Sequence, residues 1–245
     1  MKFLKKIIGL FNYKLVEKNL IKNTRSISHH SNIKLKELIE NYINNNKIDY
    51  LIQIGANDGL RFDEINHFIK SYKIKSLLVE PVKIYFEKLK KNYQNFDFVD
   101  FENSAISINN EINYLYKVKD ICLKYYDDHI NGLASFNKSH LIKHGVKNNH
   151  IDKEEIKSLS IKDLIKKHQI KNLDLLFIDA EGYDGKIVYD FLKNTNLSPL
   201  IVFEFIHIDN SYLEKVLILL KEKKYLYFRI DENMICYPDN KCFLN

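Results

Sequence analysis

An alternation of short apolar runs with amphipathic helical patterns constrains the fold of this chain more than any other feature. Strand-length apolar runs occur at residues 50–54, 76–79, 96–101, 173–178 and 200–205. Helical patterns accompany them at residues 33–43, 62–71, 83–92, 185–192 and 211–223. Repeated strand and helix units imply parallel strands that are joined by right-handed crossovers. The last two runs lack an apolar–polar alternation, which is typical of strands that helices cover on both faces.

The C-terminal residues complete the predicted sheet. Residues 225–230 and 234–237 are apolar and flank a polar turn, which indicates an antiparallel hairpin. We therefore predict a doubly wound, mostly parallel, seven-stranded α/β sheet with an antiparallel C-terminal hairpin. We expect a helical N-terminal appendage at residues 1–30 and one domain at residues 31–245, with an insertion near 120–158. That insertion is polar and contains His129, His140, His144 and His150, and we expect it to cover the carboxyl edge of the sheet.

The N-terminus and the bulk composition indicate where such a chain works. Residues 1–22 contain a basic amphipathic segment, which either packs as a helix or touches the inner membrane surface weakly. The apolar run there is too interrupted for a transmembrane helix or a signal peptide. The net charge of +6 is spread along the chain, which argues against a nucleic-acid partner. Three cysteines without metal-type spacing fit the reducing cytoplasm.

A glycine-bounded turn follows the first predicted strand. Gly55, Ala56, Asn57, Asp58 and Gly59 have the spacing Gly-x-x-x-Gly. This spacing lacks the middle glycine of the turn that cradles a dinucleotide pyrophosphate, so a nicotinamide dehydrogenase is disfavoured. A ligand without a pyrophosphate, such as S-adenosylmethionine, suits the loop. An ordinary tight turn is the alternative interpretation.

An acidic residue ends the second predicted strand. The Glu80 carboxylate, followed by Pro81, can accept hydrogen bonds from both hydroxyls of a ribose. The alternative is a surface glutamate that favours the start of the next helix. After the third strand, Ser104 and Ala105 lie where an adenine edge would be held, although a plain loop explains them equally well. Together the turn and the acid predict a nucleoside site.

Acidic residues and a histidine follow the fourth and fifth strands. Asp179 ends one strand and Glu181 follows in the same loop, so they either line a reacting centre or begin a helix. Glu204 ends the next apolar run, where a carboxylate is costly to bury unless it is paired or protonated. His207 is a candidate base or a structural histidine. We expect these four side chains to be the catalytic candidates.

These segments resemble the FkbM family of methyltransferases over residues 49–208. The resemblance rests on residues 51–59, 79–81, 159–164, 174–182 and 201–204, and most of all on the Ile-Asp-Ala-Glu-Gly-Tyr-Asp string that ends at Asp184. It implies a class I methyltransferase fold, S-adenosylmethionine as the donor and transfer to an oxygen. It implies that Gly55, Asn57, Gly59 and Glu80 hold the donor, while Asp179 and Glu181 line the reacting centre. The chain departs from the family pattern at Gln53, where an acid is common, at Phe177 and at Ser160.

The resulting hypothesis is an O-methyltransferase that acts on a sugar hydroxyl in a surface glycan or on a small metabolite. An alcohol acceptor needs a base, for which Asp179 comes first and His207 and Glu181 follow. A divalent cation could lower the pKa of the acceptor instead, but we do not expect one and assign it no ligands. Two alternatives stay open: a catalytically silent binding module in glycan assembly and a nucleic-acid methyltransferase, which the acidic loop disfavours.

Overall fold

The computed structural model describes residues 34–61, 63–110 and 114–239. The predictions of an N-terminal appendage at residues 1–30 and of a membrane contact at residues 1–22 concern a part of the chain outside these ranges. Among the described helices, none is both long enough and apolar enough to span a bilayer.

The strands and helices of the main sheet alternate along the chain as the sequence predicts, whereas the segment of residues 103–160 contains several short strands. The strands are β1 (Tyr50–Ile54), β2 (Lys75–Val79), β3 (Val99–Glu102), β4 (Ala105–Ile106), β5 (Tyr114–Val118), β6 (Ala134–Ser135), β7 (Ile151–Glu155), β8 (Ser158–Leu159), β9 (Leu175–Ile178), β10 (Leu200–Glu204), β11 (Tyr225–Ile230) and β12 (Asn233–Pro238). The α-helices are α1 (Leu35–Asn45), α2 (Asn66–Tyr72), α3 (Lys83–Asn92), α4 (Asp128–Gly132), α5 (Lys138–Lys143), α6 (Ile161–Lys167), α7 (Asp184–Asn194) and α8 (Asn210–Glu222).

A seven-stranded sheet organises the domain, in the order β11-β12-β10-β9-β1-β2-β3. The strands from β10 to β3 run parallel, while β12 is antiparallel to both of its neighbours. The predicted doubly wound sheet and its antiparallel C-terminal hairpin are therefore confirmed. The order reverses around β1, because β2 and β9 lie on its two sides, and ligands bind at such switch points.

Successive residues of each central strand enter two different cores. Leu51 points toward α1, α2 and α3 on one face, whereas Ile52 and Ile54 point toward α6, α7 and α8 on the other. Both cores consist of buried aliphatic and aromatic side chains, which explains why β9 and β10 read as continuous apolar runs. This packing on both faces holds the carboxyl ends of the strands in fixed positions.

Two predicted elements begin three or four residues too early, for local reasons. The third strand begins at Val99 rather than at residue 96, because the Val99 N–H closes a turn on the Phe96 carbonyl. The second helix begins at Asn66 rather than at residue 62, because Oδ1 of Asp63 accepts the N–H groups of Ile65 and Asn66. Short polar side chains often compete with the helix in this way.

A second, smaller sheet lies within the segment that precedes β8. Strand β5 pairs antiparallel with β6 and β7, and helices α4 and α5 lie in the same stretch of chain. This unit has its own apolar core, which includes Val118, Leu133, Leu141 and Ile151. The polar composition of the segment hid this core, since these buried residues are widely spaced in the sequence.

Candidate active site

A cleft opens at the carboxyl ends of the parallel strands, around the switch point at β1. It encloses about 1080 Å³ of space that no protein atom fills, part of it open to solvent. The loops after β1, β2, β3 and β9 form one side, and residues of the small sheet form the other. Sequence-predicted residues in the lining are Gly55, Ala56, Asn57, Glu80, Pro81, Ser104, Ala105, Asp179 and Glu181.

The turn after β1 brings the backbone into direct contact with the loop after β9. Gly55 has a φ of +83°, and a Cβ atom there would lie 1.8 Å from the Asp179 carbonyl oxygen. Only glycine fits this position, both for its backbone conformation and for its space. Asn57 also has a left-handed φ of +47°, which asparagine tolerates better than most residues. The turn thus presents bare backbone to the cleft.

Glu80 ties the turn to the end of β2. Its Oε2 accepts the Asn57 N–H at 2.9 Å, and its Oε1 accepts the Val82 N–H at 2.7 Å. Burial raises the pKa of Glu80 to about 7, although these two backbone N–H groups act in the opposite direction. Each oxygen retains a lone pair for a ligand hydroxyl. The glycine turn and the carboxylate therefore belong to one hydrogen-bonded unit.

The residues after β3 provide a buried hydroxyl. Ser104 is almost completely buried, and its Oγ has no hydrogen-bond partner among the described residues. Buried hydroxyl groups without partners are rare, so this one is available to a ligand. Asn103 has a supporting position instead, because its Nδ2 donates to the carbonyl oxygens of Glu80 and Pro81.

Two predicted donor-binding residues stabilise the turn without lining the cleft. Oδ1 of Asp58 accepts the N–H groups of Leu60 and Arg61. A Cβ atom on Gly59 would meet the side chains of Leu89 and Tyr93, so this glycine permits α3 to pack closely. The sequence placed both residues in the correct loop but could not separate contact with a ligand from support of the loop.

Arg61 and Asp63 were not predicted as parts of the site, and Gln53 was named only as a departure from the family pattern. Gln53, Arg61 and Asp63 all line the cleft. Gln53 is buried, its Oε1 has no hydrogen-bond partner in the described part of the chain, and it lies beside Asp63. Burial raises the pKa of the Asp63 carboxyl group. Asp63 supplies a carboxyl group close to Gln53, where the family pattern led us to expect one.

The loop after β9 concentrates carboxyl groups at the other end of the cleft. Asp179 opens into the cleft, and the surrounding protein together with Glu181 and Asp184 raises its pKa well above the ordinary range. Asp184 is completely buried, and its oxygens accept the N–H groups of Ala180 and Gly182 at 3.1 Å. Burial raises the pKa of Asp184 to about 7. Asp184 holds the shape of the loop, while Asp179 and Glu181 face the cleft.

Glu204 and His207 lie behind this loop and outside the cleft lining. His140, from α5, connects them to it: its Nε2 lies 3.0 Å from Oε2 of Glu181, and its ring centroid lies 4.6 Å from that of His207. Burial and the neighbouring carboxyl groups raise the pKa of Glu204 to about 9. Burial and the neighbouring histidines lower the pKa of His207 to about 4. At neutral pH, Glu204 is therefore a proton donor and His207 is a neutral imidazole.

A comparison with protein families shows which family this chain belongs to. The sequence model of the methyltransferase FkbM domain matches residues 53–227, which is more than half of the chain. The chain belongs to the FkbM methyltransferase family. Its sheet has the class I methyltransferase arrangement that the resemblance implied. The resemblance inferred from the sequence is confirmed.

Two solved structures to which the chain is similar carry the name methyltransferase, both with TM-scores below 0.5. The FkbM methyltransferase from Methylobacillus flagellatus KT is 14% identical, with a TM-score of 0.47 over 77% of this chain and 43% of that one. The present chain thus spans less than half of that protein's length. An O-methyltransferase from Bacillus cereus, in complex with SAH, is 9% identical, with a TM-score of 0.41 over 95% of both chains. No curated protein matches the sequence.

Proposed function

We propose that this FkbM methyltransferase transfers a methyl group to a hydroxyl oxygen, either of a sugar in a surface glycan or of a small metabolite. One observation carries the proposal. A single cleft joins the hydrogen-bonded unit of Gly55, Asn57 and Glu80 to the carboxyl groups of Asp179 and Glu181. The first group suits a nucleoside and the second suits a cation with a proton-releasing acceptor beside it.

The cleft offers a matching group for each part of the donor. Glu80 would accept hydrogen bonds from the ribose hydroxyls, and Ser104 would bind the adenine edge. Asp63 and Gln53 would receive the ammonium group, and the Arg61 guanidinium would receive the carboxylate. The supporting observations are the buried, unpartnered oxygens of Ser104 and Gln53, which need a partner that the described residues do not supply.

The carboxyl groups give the acceptor end its chemistry. When bound, S-adenosylmethionine supplies an electrophilic methyl group on a cationic sulfur. Asp179 faces the cleft with a raised pKa, and a bound sulfonium cation would favour its ionised form, so its carboxylate would be a stronger base than an ordinary aspartate. We assign it the proton of the acceptor hydroxyl, with Glu181 beside it to orient the acceptor. Glu204 and His207 act at a distance, through His140 and the loop after β9.

The surroundings of the cleft support a sugar or a small metabolite as the acceptor. An acidic rim repels the phosphates of a nucleic acid, whereas a neutral hydroxyl compound meets no such barrier. We propose that residues 120–158 select this acceptor, because Gly132, Ala134 and Ser135 line the cleft. The domain division at residue 30, a cytoplasmic location and a membrane contact through residues 1–22 are parts of the same proposal, and they suit glycan synthesis at the inner membrane face.

The experiment uses methyl-labelled S-adenosylmethionine and separated carbohydrate, small-metabolite, protein and RNA fractions of a cell extract. We expect label in the carbohydrate or small-metabolite fraction, in an alkali-stable ether. Asp179→Asn should lower incorporation about 100-fold or more and change the affinity for S-adenosylhomocysteine by less than about tenfold. Asp100→Asn, at an exposed position of β3, is the matched control. Label in protein or RNA would overturn the proposed acceptor, and unchanged turnover in Asp179→Asn would overturn the proposed base.

A further inference from the structure

Three histidines from two distant segments converge behind the acidic loop. His140 and His144 are four residues apart at the C-terminal end of α5, so they share one face of the helix. His207 follows β10. One ring nitrogen of each residue lies within 4.8 Å of the others, and the ring centroids are 4.5 Å, 4.6 Å and 5.2 Å apart. This convergence requires both the helix and the sheet to be folded.

Two acidic side chains lie beside the cluster. Nε2 of His140 lies 3.0 Å from Oε2 of Glu181, and Nε2 of His207 lies 3.8 Å from Oε2 of Glu204. When Nε2 donates its hydrogen to a carboxylate, Nδ1 carries the lone pair. Metal-binding histidines are held and oriented in this way by carboxylates on their second nitrogen. Glu181 therefore prepares His140 as a ligand, whereas Glu204 lies too far from His207 for a hydrogen bond.

Packing of three imidazoles explains the cluster less well than a shared ion does. Each ring brings one nitrogen to within 4.8 Å of the other two, and packing of the ring faces alone does not require this convergence. Neutral imidazole nitrogens in a group of three are the preferred donors for zinc and related ions. His140 is buried while His144 and His207 are half-buried, so the cluster is enclosed but can still be reached by an ion from solvent.

We propose that His140, His144 and His207 form a binding site for one divalent transition-metal ion, with Zn²⁺ as the best match. Small side-chain rotations bring the three nitrogens to the metal–nitrogen distance of about 2.0–2.1 Å. Three histidines leave a fourth position for water or for Glu181. The ion would link α5 to the end of β10 and so fix the wall of the cleft that carries Glu181. An effect of this ion on the acceptor rests on the proposed function, but its binding does not.

The experiment measures metal binding directly, on the full-length protein without a polyhistidine tag. After treatment with a chelator, Zn²⁺ is titrated by calorimetry and the bound metal is counted by mass spectrometry. We expect one equivalent and a rise in the melting temperature, because binding to the folded state stabilises it. His144→Ala and His207→Ala should each weaken binding by about 100-fold. The matched control is His67→Ala, an exposed helical histidine outside the cluster, which should leave binding unchanged.

Substitution with Co²⁺ separates a real site from surface binding even if a variant folds poorly. The unaltered protein should give the intense visible absorption of a four-coordinate cobalt ion, and excess Zn²⁺ should abolish it. Binding of less than one equivalent, an octahedral cobalt spectrum, or equal loss in His67→Ala would overturn the proposal. Calorimetry with S-adenosylhomocysteine in the presence and absence of Zn²⁺ tests the donor site separately, so failure of one proposal is distinguishable from failure of the other.

Discussion

The two ends of the cleft satisfy their polar groups in opposite ways. One end, which we propose binds the donor and call the donor end, contains Gly55 and Glu80. There, both oxygens of Glu80 accept backbone N–H groups, and the turn at Gly55 leaves no room for a side chain. At the acceptor end, carboxyl groups and imidazoles crowd together, and burial together with this crowding moves their pKa values away from the ordinary range. The donor end is therefore held by the backbone. The acceptor end instead contains groups with shifted pKa values, and a bound cation or substrate would change their protonation.

Gly55→Ala is the variant with the largest expected effect on this contrast. The new Cβ would overlap the Asp179 carbonyl oxygen, so the loops after β1 and β9 must separate. We expect a loss of about 5 kcal/mol or more in the free energy of unfolding and no measurable binding of S-adenosylhomocysteine. Urea denaturation and calorimetry provide the two measurements.

Gly145→Ala is the matched control for that variant. Gly145 also has a positive φ, +88°, but a Cβ there meets no atom within 4 Å. Only the backbone strain remains, which costs about 1–2 kcal/mol. If both variants lose the same stability, then the close approach of the two loops does not hold the donor end together.

The sequence could predict that the parts of the proposed donor end lie together in the fold. Gly55–Gly59 and Glu80 directly follow predicted strands, and parallel strands bring their carboxyl ends to one edge. The acceptor end could be predicted only in part. Asp179 and Glu181 follow a strand, but His140 comes from a short helix in a polar segment whose packing no periodicity reveals. Nor could the sequence show that Asp58 supports the turn while Asp63, five residues later, faces the cleft.

The next largest expected effect is on the pH dependence of stability, through Asp184 at the acceptor end. The pKa of Asp184 is raised from 3.8 to about 7, so the folded protein binds a proton there more tightly than the unfolded chain does. Its contribution to stability is complete below pH 4 and is lost as the pH rises through about 7. Asp184→Asn should therefore flatten this fall by up to about 4 kcal/mol. Urea denaturation between pH 5 and pH 8 measures it, and parallel curves for the two proteins would contradict the assignment.

Glu80→Gln tests whether the charge at the donor end binds the ligand. The amide retains the shape of the side chain but has only one acceptor oxygen for two backbone N–H groups. At pH 8, where Glu80 is mostly ionised, we expect the affinity for S-adenosylhomocysteine to fall about 30-fold, or about 2 kcal/mol. Glu102→Gln is the matched control, since this buried acid ends β3 but pairs with Lys167 and His168 away from the cleft. Equal losses in both would indicate a general effect on folding.

Ser104→Ala has the smallest expected effect and separates ligand binding from stability most cleanly. The Ser104 hydroxyl is buried without a partner among the described residues, so its removal should cost the folded protein nothing or stabilise it slightly. Donor affinity should nevertheless fall about fivefold, by about 1 kcal/mol, because the adenine edge loses a hydrogen bond. Ser135→Ala should instead lower the stability of the fold and leave donor affinity unchanged. The Ser135 Oγ donates to the Glu181 carbonyl oxygen at 2.9 Å and so supports the acceptor end. If Ser104→Ala destabilises the fold and leaves donor affinity intact, then that hydroxyl serves the protein and not the ligand, and the adenine must lie elsewhere in the cleft.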